Sequence, residues 1–221
     1  MKAEEIFSSE EFKRCAEFHG HVCPGLSIGF KAAQTLMARL GVTRAPDEEL
    51  VAIVETDACG VDAIQVMTGC TFGKGNLILK NYGKNAFSLS DRKQGKVFRA
   101  CLRSDAMAMD PAHLTLFEKV RQGQAKAEDM EKFQQLREKR LKDILETDPN
   151  KLFTIEEIDA NVPPQARIVE SAVCDMCGEP TMVDLLQNEE RLLLAQETEE
   201  GLRRLLQQKI WPHRIPLTKL Y

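Results

Sequence analysis

The chain has 221 residues, 43% hydrophobic and 29% charged, with a formal net charge of −4. That balance suits a folded soluble protein and lacks the basic field of a nucleic-acid binder. No run approaches the roughly 18 apolar residues of a membrane-crossing helix, and the opening MKAEEIFSSEEFKR has no apolar segment of a secretory signal, so a cytoplasmic protein without a membrane role is expected.

In chain order, SEEFKRCAEF (9–18) reads as a helix, with Phe12, Cys15 and Phe18 on one face and Ser9 as cap. Gly20 breaks it. Pro24 opens a second helix, PGLSIGFKAAQTLMARL, which stops at Gly41. Its apolar residues run nearly all round, which predicts a central, buried element. LVAIVET (50–56) reads as a buried strand, and DACGVDAIQVMTGC as a short helix bounded by Gly60 and Gly69. A glycine-rich loop and a hairpin follow, with strands near 76–81 and 85–90, then a strand near 96–104. The first 110 residues therefore predict an α+β core, helices packed on a mostly antiparallel sheet.

Residues 111–149 are strongly charged and helix-forming. Met130, Phe133, Leu136, Leu141, Ile144 and Leu145 make one apolar stripe. It predicts a helical arm whose stripe packs either on a second copy of the chain or on its own core. KLFTIEEIDANVPPQARIVESAV then reads as two strands around a proline-marked turn. CDMCGEPTM and a helical tail, NEERLLLAQETEEGLRRLLQQKI, follow, so 150–221 is expected to form a small C-terminal domain, zinc-ribbon-like with a single C-x-x-C knuckle.

Seven cysteines are an odd number in a chain too long to need disulfide staples. They are expected as metal ligands, reactive thiols or small core residues. Two of the four histidines fall in EFHGHVCPGL, where His19, His21 and Cys23 alternate. In extended backbone alternate side chains face one way, and His and Cys are preferred ligands of zinc and related metals. Cys23 also sits at a helix N-terminus, which favours a thiolate. The plainer reading makes His19 a helix end and Cys23 a buried filler. Glu55, Asp57 and Cys59 alternate in the same way before the next helix; singly, the two acids also read as a solvated strand end or a cap. Asp62 and Gln65 share a helix face. Lys74 lies between two glycines in TFGKGN, a loop that either holds an anion or only turns the chain. Cys174 and Cys177 form half a zinc knuckle. It is open to three readings: a vestigial finger, a site completed by His213 or a carboxylate, or a redox pair.

FHGHVCPGLSIGFKAA, VETDACGVDAIQVMTGCTFGKGNL and YGKNAFSL together resemble the core of the FmdE family, which takes its name from formylmethanofuran dehydrogenase, over residues 18–89. CDMCGEP resembles the start of a zinc finger that some members carry. Where a second cysteine pair would follow, this chain reads RLLLAQETEE. The resemblance implies an intertwined homodimer and a pocket of His19, His21, Cys23, Glu55, Cys59, Asp62, Gln65 and Lys74. Of these, His19, His21, Cys23 and Cys59 are expected as ligands of zinc or another divalent transition metal, with Cys174 and Cys177 as a separate pair. Glu55, Asp62, Gln65 and Lys74 are expected as cofactor-binding residues. It also implies a link to a molybdenum or tungsten enzyme or its maturation machinery. Metal or metal-cofactor handling is the leading expectation. A metal- or thiol-dependent enzyme using the same pocket is the alternative, and a regulator or adaptor acting through the C-terminal domain the third.

Overall fold

The computed structural model describes residues 2–106, 111–160, 162–166, 168–174 and 177–183. The chain forms two compact units, residues 1–166 and 167–221. The first is α+β, as expected. A five-stranded sheet runs in the order β2-β1-β3-β4-β5, from Leu77–Leu79, Leu50–Val54, Ala86–Asp91, Lys96–Leu102 and Phe153–Glu157. All its pairings are antiparallel except that of β1 with β2.

The helices form where cap and periodicity placed them. Helix α2 (Glu10–His19) starts at Ser9, whose side chain accepts from the Phe12 amide, and ends at Gly20 with φ of 87°. Helix α3 (Pro24–Leu40) ends at Gly41 in the left-handed region. A short helix, α1 (Ala3–Ser8), precedes them and was not anticipated. Phe7 meets Phe12 edge-on at 5.3 Å, and Phe12 meets Phe30 at 5.1 Å, so an aromatic chain ties α1, α2 and α3 together.

Helix α3 is the centre of the core. Leu26, Phe30, Ala33 and Leu36 are buried. They share the core with Ala52, Val54, Phe87, Leu89 and Ala100, which the strand register puts on one face of the sheet. Burying each large apolar side chain contributes about 2 kcal/mol. Helix α4 (Gly60–Thr68) crosses α3 at a glycine pair. A Cβ on Gly29 would lie 2.1 Å from the Gly60 carbonyl oxygen, so the two backbones touch only because neither residue has a side chain.

Three expectations are corrected. The strands near 77 and 86 do not form a hairpin: β2 pairs in parallel with one side of β1, and β3 pairs antiparallel with the other. Helix α4 is the crossover that makes this geometry possible. The two strands expected around the proline turn do not pair with each other either. Residues 153–157 are the sheet's fifth strand, whereas Ser171–Val173 (β6) pairs with Pro180–Met182 (β7). Residues 150–166 thus lie in the core unit rather than in a C-terminal domain. Arg92 holds that extension by donating to the Pro163 and Pro164 carbonyls, and Glu48 accepts from the Ala166 amide.

The arm is two helices, α5 (Pro111–Arg121) and α6 (Ala127–Glu146). The C-terminal half of the stripe, Leu141, Ile144 and Leu145, is buried in the chain's own unit, whereas Met130 remains 44% exposed. The expected C-terminal helical tail, with His213, lies outside the described residues. Among the described residues no helix is long and apolar enough to cross a membrane.

Candidate metal centre

Two helix ends hold the HGHVC segment. At the end of α2, the Gly20 amide donates to the Ala16 carbonyl at 2.9 Å. At the start of α3, Cys23 is the N-cap, and its Sγ accepts from the Leu26 amide at 3.4 Å. His19 and His21 stack with ring centroids 4.5 Å apart and planes tilted by 35°. The ligand atoms of His19, His21 and Cys23 all lie within 4.8 Å of one another.

The tautomer of His19 follows from its neighbour. Its Nδ1 lies 2.7 Å from Asp62 Oδ2, and a carboxylate can only accept, so Nδ1 carries the proton. Nε2 is then a lone-pair donor aimed at Cys23 Sγ, 3.7 Å away. Asp62 is in turn held by Gln65, whose Nε2 lies 3.4 Å from Oδ1. A carboxylate behind a ligating imidazole is the usual outer support of a metal-bound histidine. Tetrahedral zinc with nitrogen and sulfur ligands sets neighbouring donors about 3.4–3.8 Å apart. The His19–Cys23 separation already meets this, and two imidazoles plus a thiolate are a suitable donor set, so the residues fit a zinc-like ion.

Cys59 stands against the cluster at the N-cap of α4. Burial first, and then the neighbouring Cys23 thiol, push its pKa above the ordinary thiol value. The approach depends on Gly25, where a Cβ would lie 3.0 Å from Cys59 Cβ. Arg137 was not singled out from sequence. From α6 its Nη2 donates to the Val22 carbonyl at 2.6 Å, between the second histidine and the cysteine. Nothing in a charged helix of this composition marks that one arginine.

The remaining expected site residues lie elsewhere. Glu55 follows Val54 and points to the opposite face of the sheet, where both its oxygens bind Arg99, at 2.6 and 2.9 Å. That pairing, chiefly the hydrogen bond from Arg99, holds its carboxyl below the ordinary range. Glu55 is thus paired with Arg99, on the face of the sheet away from the His19–Cys23 cluster. Lys74 donates to the Asp47 carbonyl at 3.1 Å, and Gly75 turns the loop with φ of 71°. Asn76, wholly buried, fixes that loop through the Thr71 amide and the Leu50 carbonyl. Asp57 accepts from Asn81 at 3.1 Å. Cys15 is an inert core thiol, its pKa pushed up to about 12 by burial. In the second unit, Cys174 and Cys177 sit at the turn of the β6–β7 hairpin. Gly178 donates to the Cys174 carbonyl there, and Cys177 Sγ lies 3.5 Å from Glu179.

With this geometry in hand, comparison with known proteins is decisive on one point. The family profile described as "FmdE, Molybdenum formylmethanofuran dehydrogenase operon" matches residues 18–154. The chain belongs to that family. A "Probable S-adenosyl-L-methionine-binding protein" of Archaeoglobus fulgidus is 34% identical over 178 residues, covering 76% of this chain and 48% of that protein. The chain thus spans about half the length of that curated relative. The crystal structure of a tungsten formylmethanofuran dehydrogenase FmdE-like protein from Syntrophus aciditrophicus superposes with a TM-score of 0.54 at 24% identity. The match covers 82% of this chain and 86% of that one. At that identity the likeness speaks for the fold, helices on a mostly antiparallel sheet, which this family member shares.

Proposed function

We propose that this family member binds zinc or a similar divalent transition metal through His19, His21 and Cys23, with Cys59 beside them and Asp62 orienting His19. It serves in the handling of a metal or metal cofactor linked to molybdenum or tungsten enzymes. The observation that carries the reading is the convergence of three ligand atoms within 4.8 Å around an imidazole whose tautomer is already set. The metal-bearing form pairs with a second copy through the exposed end of the arm, where Leu114, Phe117 and Met130 are open to solvent. Elemental mass spectrometry of tag-free protein tests the metal site. The wild type and the Cys174→Ser/Cys177→Ser variant should carry a core equivalent of metal that His21→Ala and Cys23→Ser lack. Metal retained in both core variants would sink the reading. Light scattering of wild type and Met130→Glu tests the pairing.

A second reading rests on the A. fulgidus relative, whose name gives S-adenosyl-L-methionine as its ligand. On that reading this chain binds S-adenosyl-L-methionine, and titration calorimetry with that compound, with and without metal, decides it. No heat in either state removes it and leaves the metal reading untouched.

A further inference from the structure

The metal cluster does not end in bulk solvent. A groove of about 460 Å³ opens against it, and His19, Cys59, Asp62, Gln65, Phe72 and Leu79 are among its lining residues. It lies beside the parallel pair β1 and β2, joined by the α4 crossover, with Val54 of β1 and Leu77 and Leu79 of β2 in its lining. Its volume falls in the range of small-molecule sites.

Its lining carries two kinds of chemistry. His19 belongs both to the metal cluster and to the groove wall. A metal held by His19, His21 and Cys23 has three protein donors, and a tetrahedral ion takes a fourth. Phe72, 78% exposed, and Leu79, 47% exposed, add an aromatic and an aliphatic side chain to the same lining. The Asp62 carboxylate and the Gln65 amide add polar groups that can orient a ligand by hydrogen bonding. Phe72 stands on the loop fixed by Asn76, so the platform is pre-formed.

We infer that the groove binds a small organic ligand with a metal-coordinating nitrogen or oxygen at one end and a flat, apolar ring at the other. The donor fills the metal's fourth position from the groove side, and the ring lies on Phe72 and Leu79. This rests on the metal reading above and adds the class of molecule presented to the metal.

Cobalt(II)-loaded protein, whose visible d–d bands report the coordination shell, tests it. The probes are imidazole and 4-phenylimidazole, which share one donor and differ by a phenyl ring. Both should shift the cobalt bands, and 4-phenylimidazole should bind at least about tenfold more tightly, because only it buries a ring on the platform. Phe72→Ala should erase that preference and leave imidazole affinity unchanged. Equal affinity for the two probes, or a preference that survives Phe72→Ala, overturns the inference while the metal reading stands. Cobalt bands that neither probe moves also overturn it, because the shell is then closed. A wild-type chain that takes up no cobalt overturns both. If Phe72→Ala instead converts a dimer to a monomer in light scattering and no phenyl preference exists, a second copy of the chain occupies the groove and the inference fails.

Discussion

In the loop between α2 and α3, His19, His21 and Cys23 are placed by elements that need no ion. One helix ends on Gly20, another begins on Cys23, Asp62 fixes an imidazole, and Arg137 holds the intervening carbonyl. In the C-terminal hairpin, Cys174 and Cys177 sit between strands of three residues each, with Val173 66% and Met182 50% exposed. A two-stranded hairpin alone is marginal in water. The first motif gathers three potential ligands on a backbone that the core fixes. The second, among the described residues, rests on two short strands whose side chains are mostly exposed. Donor residues of the right type and spacing occur in both, so the difference lies in what fixes the backbone.

The contrast breaks most severely at the crossing that supports the first motif. Gly29→Ala puts a Cβ into Gly60 and forces α3 from α4. A loss of at least about 3 kcal/mol is expected, because backbone rather than a flexible side chain must yield. The displacement carries Asp62 away from His19, so thermal stability and cobalt affinity should fall together. Normal uptake in a destabilised variant would show that the loop is independent of the crossing.

Next in size is the ion pair on the far face of the sheet. Glu55→Gln should cost on the order of 2 kcal/mol and leave metal content unchanged, since Glu55 faces Arg99 and not the cluster. The pH dependence has a definite sign. The folded carboxyl is held below its unfolded value of about 4.3, so its contribution is full above that pH and disappears as pH falls through the lower folded value. The melting temperature of the wild type should drop below about pH 4.5 more steeply than that of Glu55→Gln. Parallel curves would sink this assignment.

Asp62 gives a smaller effect on folding and a sharper one on the site. Asp62→Ala should weaken metal binding about ten- to hundredfold, with partial recovery in Asp62→Asn, whose amide oxygen can still accept from His19 Nδ1. The carboxylate is 34% exposed, so the apo melting curve should barely move. Equal affinities in all three proteins would mean that His19 is oriented by the helix end alone.

Local signals carried much of this into the sequence. Ser9, Gly20, Pro24 and Gly41 mark α2 and α3 nearly to the residue, because caps and glycine conformations act within a few positions. The clustering of His19, His21 and Cys23 was legible for the same reason. Strand partners were not: nothing in LIL at 77–79 says which side of β1 it joins, since both sides offer the same backbone groups. The Arg99 partner of Glu55 was not legible either, because alternation relates Glu55 to Asp57 and Cys59 but does not say which face is inward. Val54 is the buried residue facing α3, so its neighbour faces away. The reach of Arg137 spans 115 positions and depends on how α6 lies on α3, which no local pattern encodes.

That long reach supplies the smallest and most discriminating test. A guanidinium bonded to a half-buried carbonyl is worth about 1.5–3 kcal/mol when intact, but only the part that differs between apo and loaded protein appears as affinity. Val22 lies between two ligands, so freeing its carbonyl lets the loop sample conformations that the metal must then select against. Arg137→Met should therefore weaken cobalt binding about three- to tenfold and broaden the cobalt bands. Arg137→Lys, which can still donate once, should lie between the two. A purely structural contact would lower the apo melting temperature by the same amount in both variants and leave the spectrum of the loaded protein unmoved. In that case the two helix ends suffice to shape the loop. If the spectrum does move, the arm takes part in setting the geometry of the ligand loop through Val22.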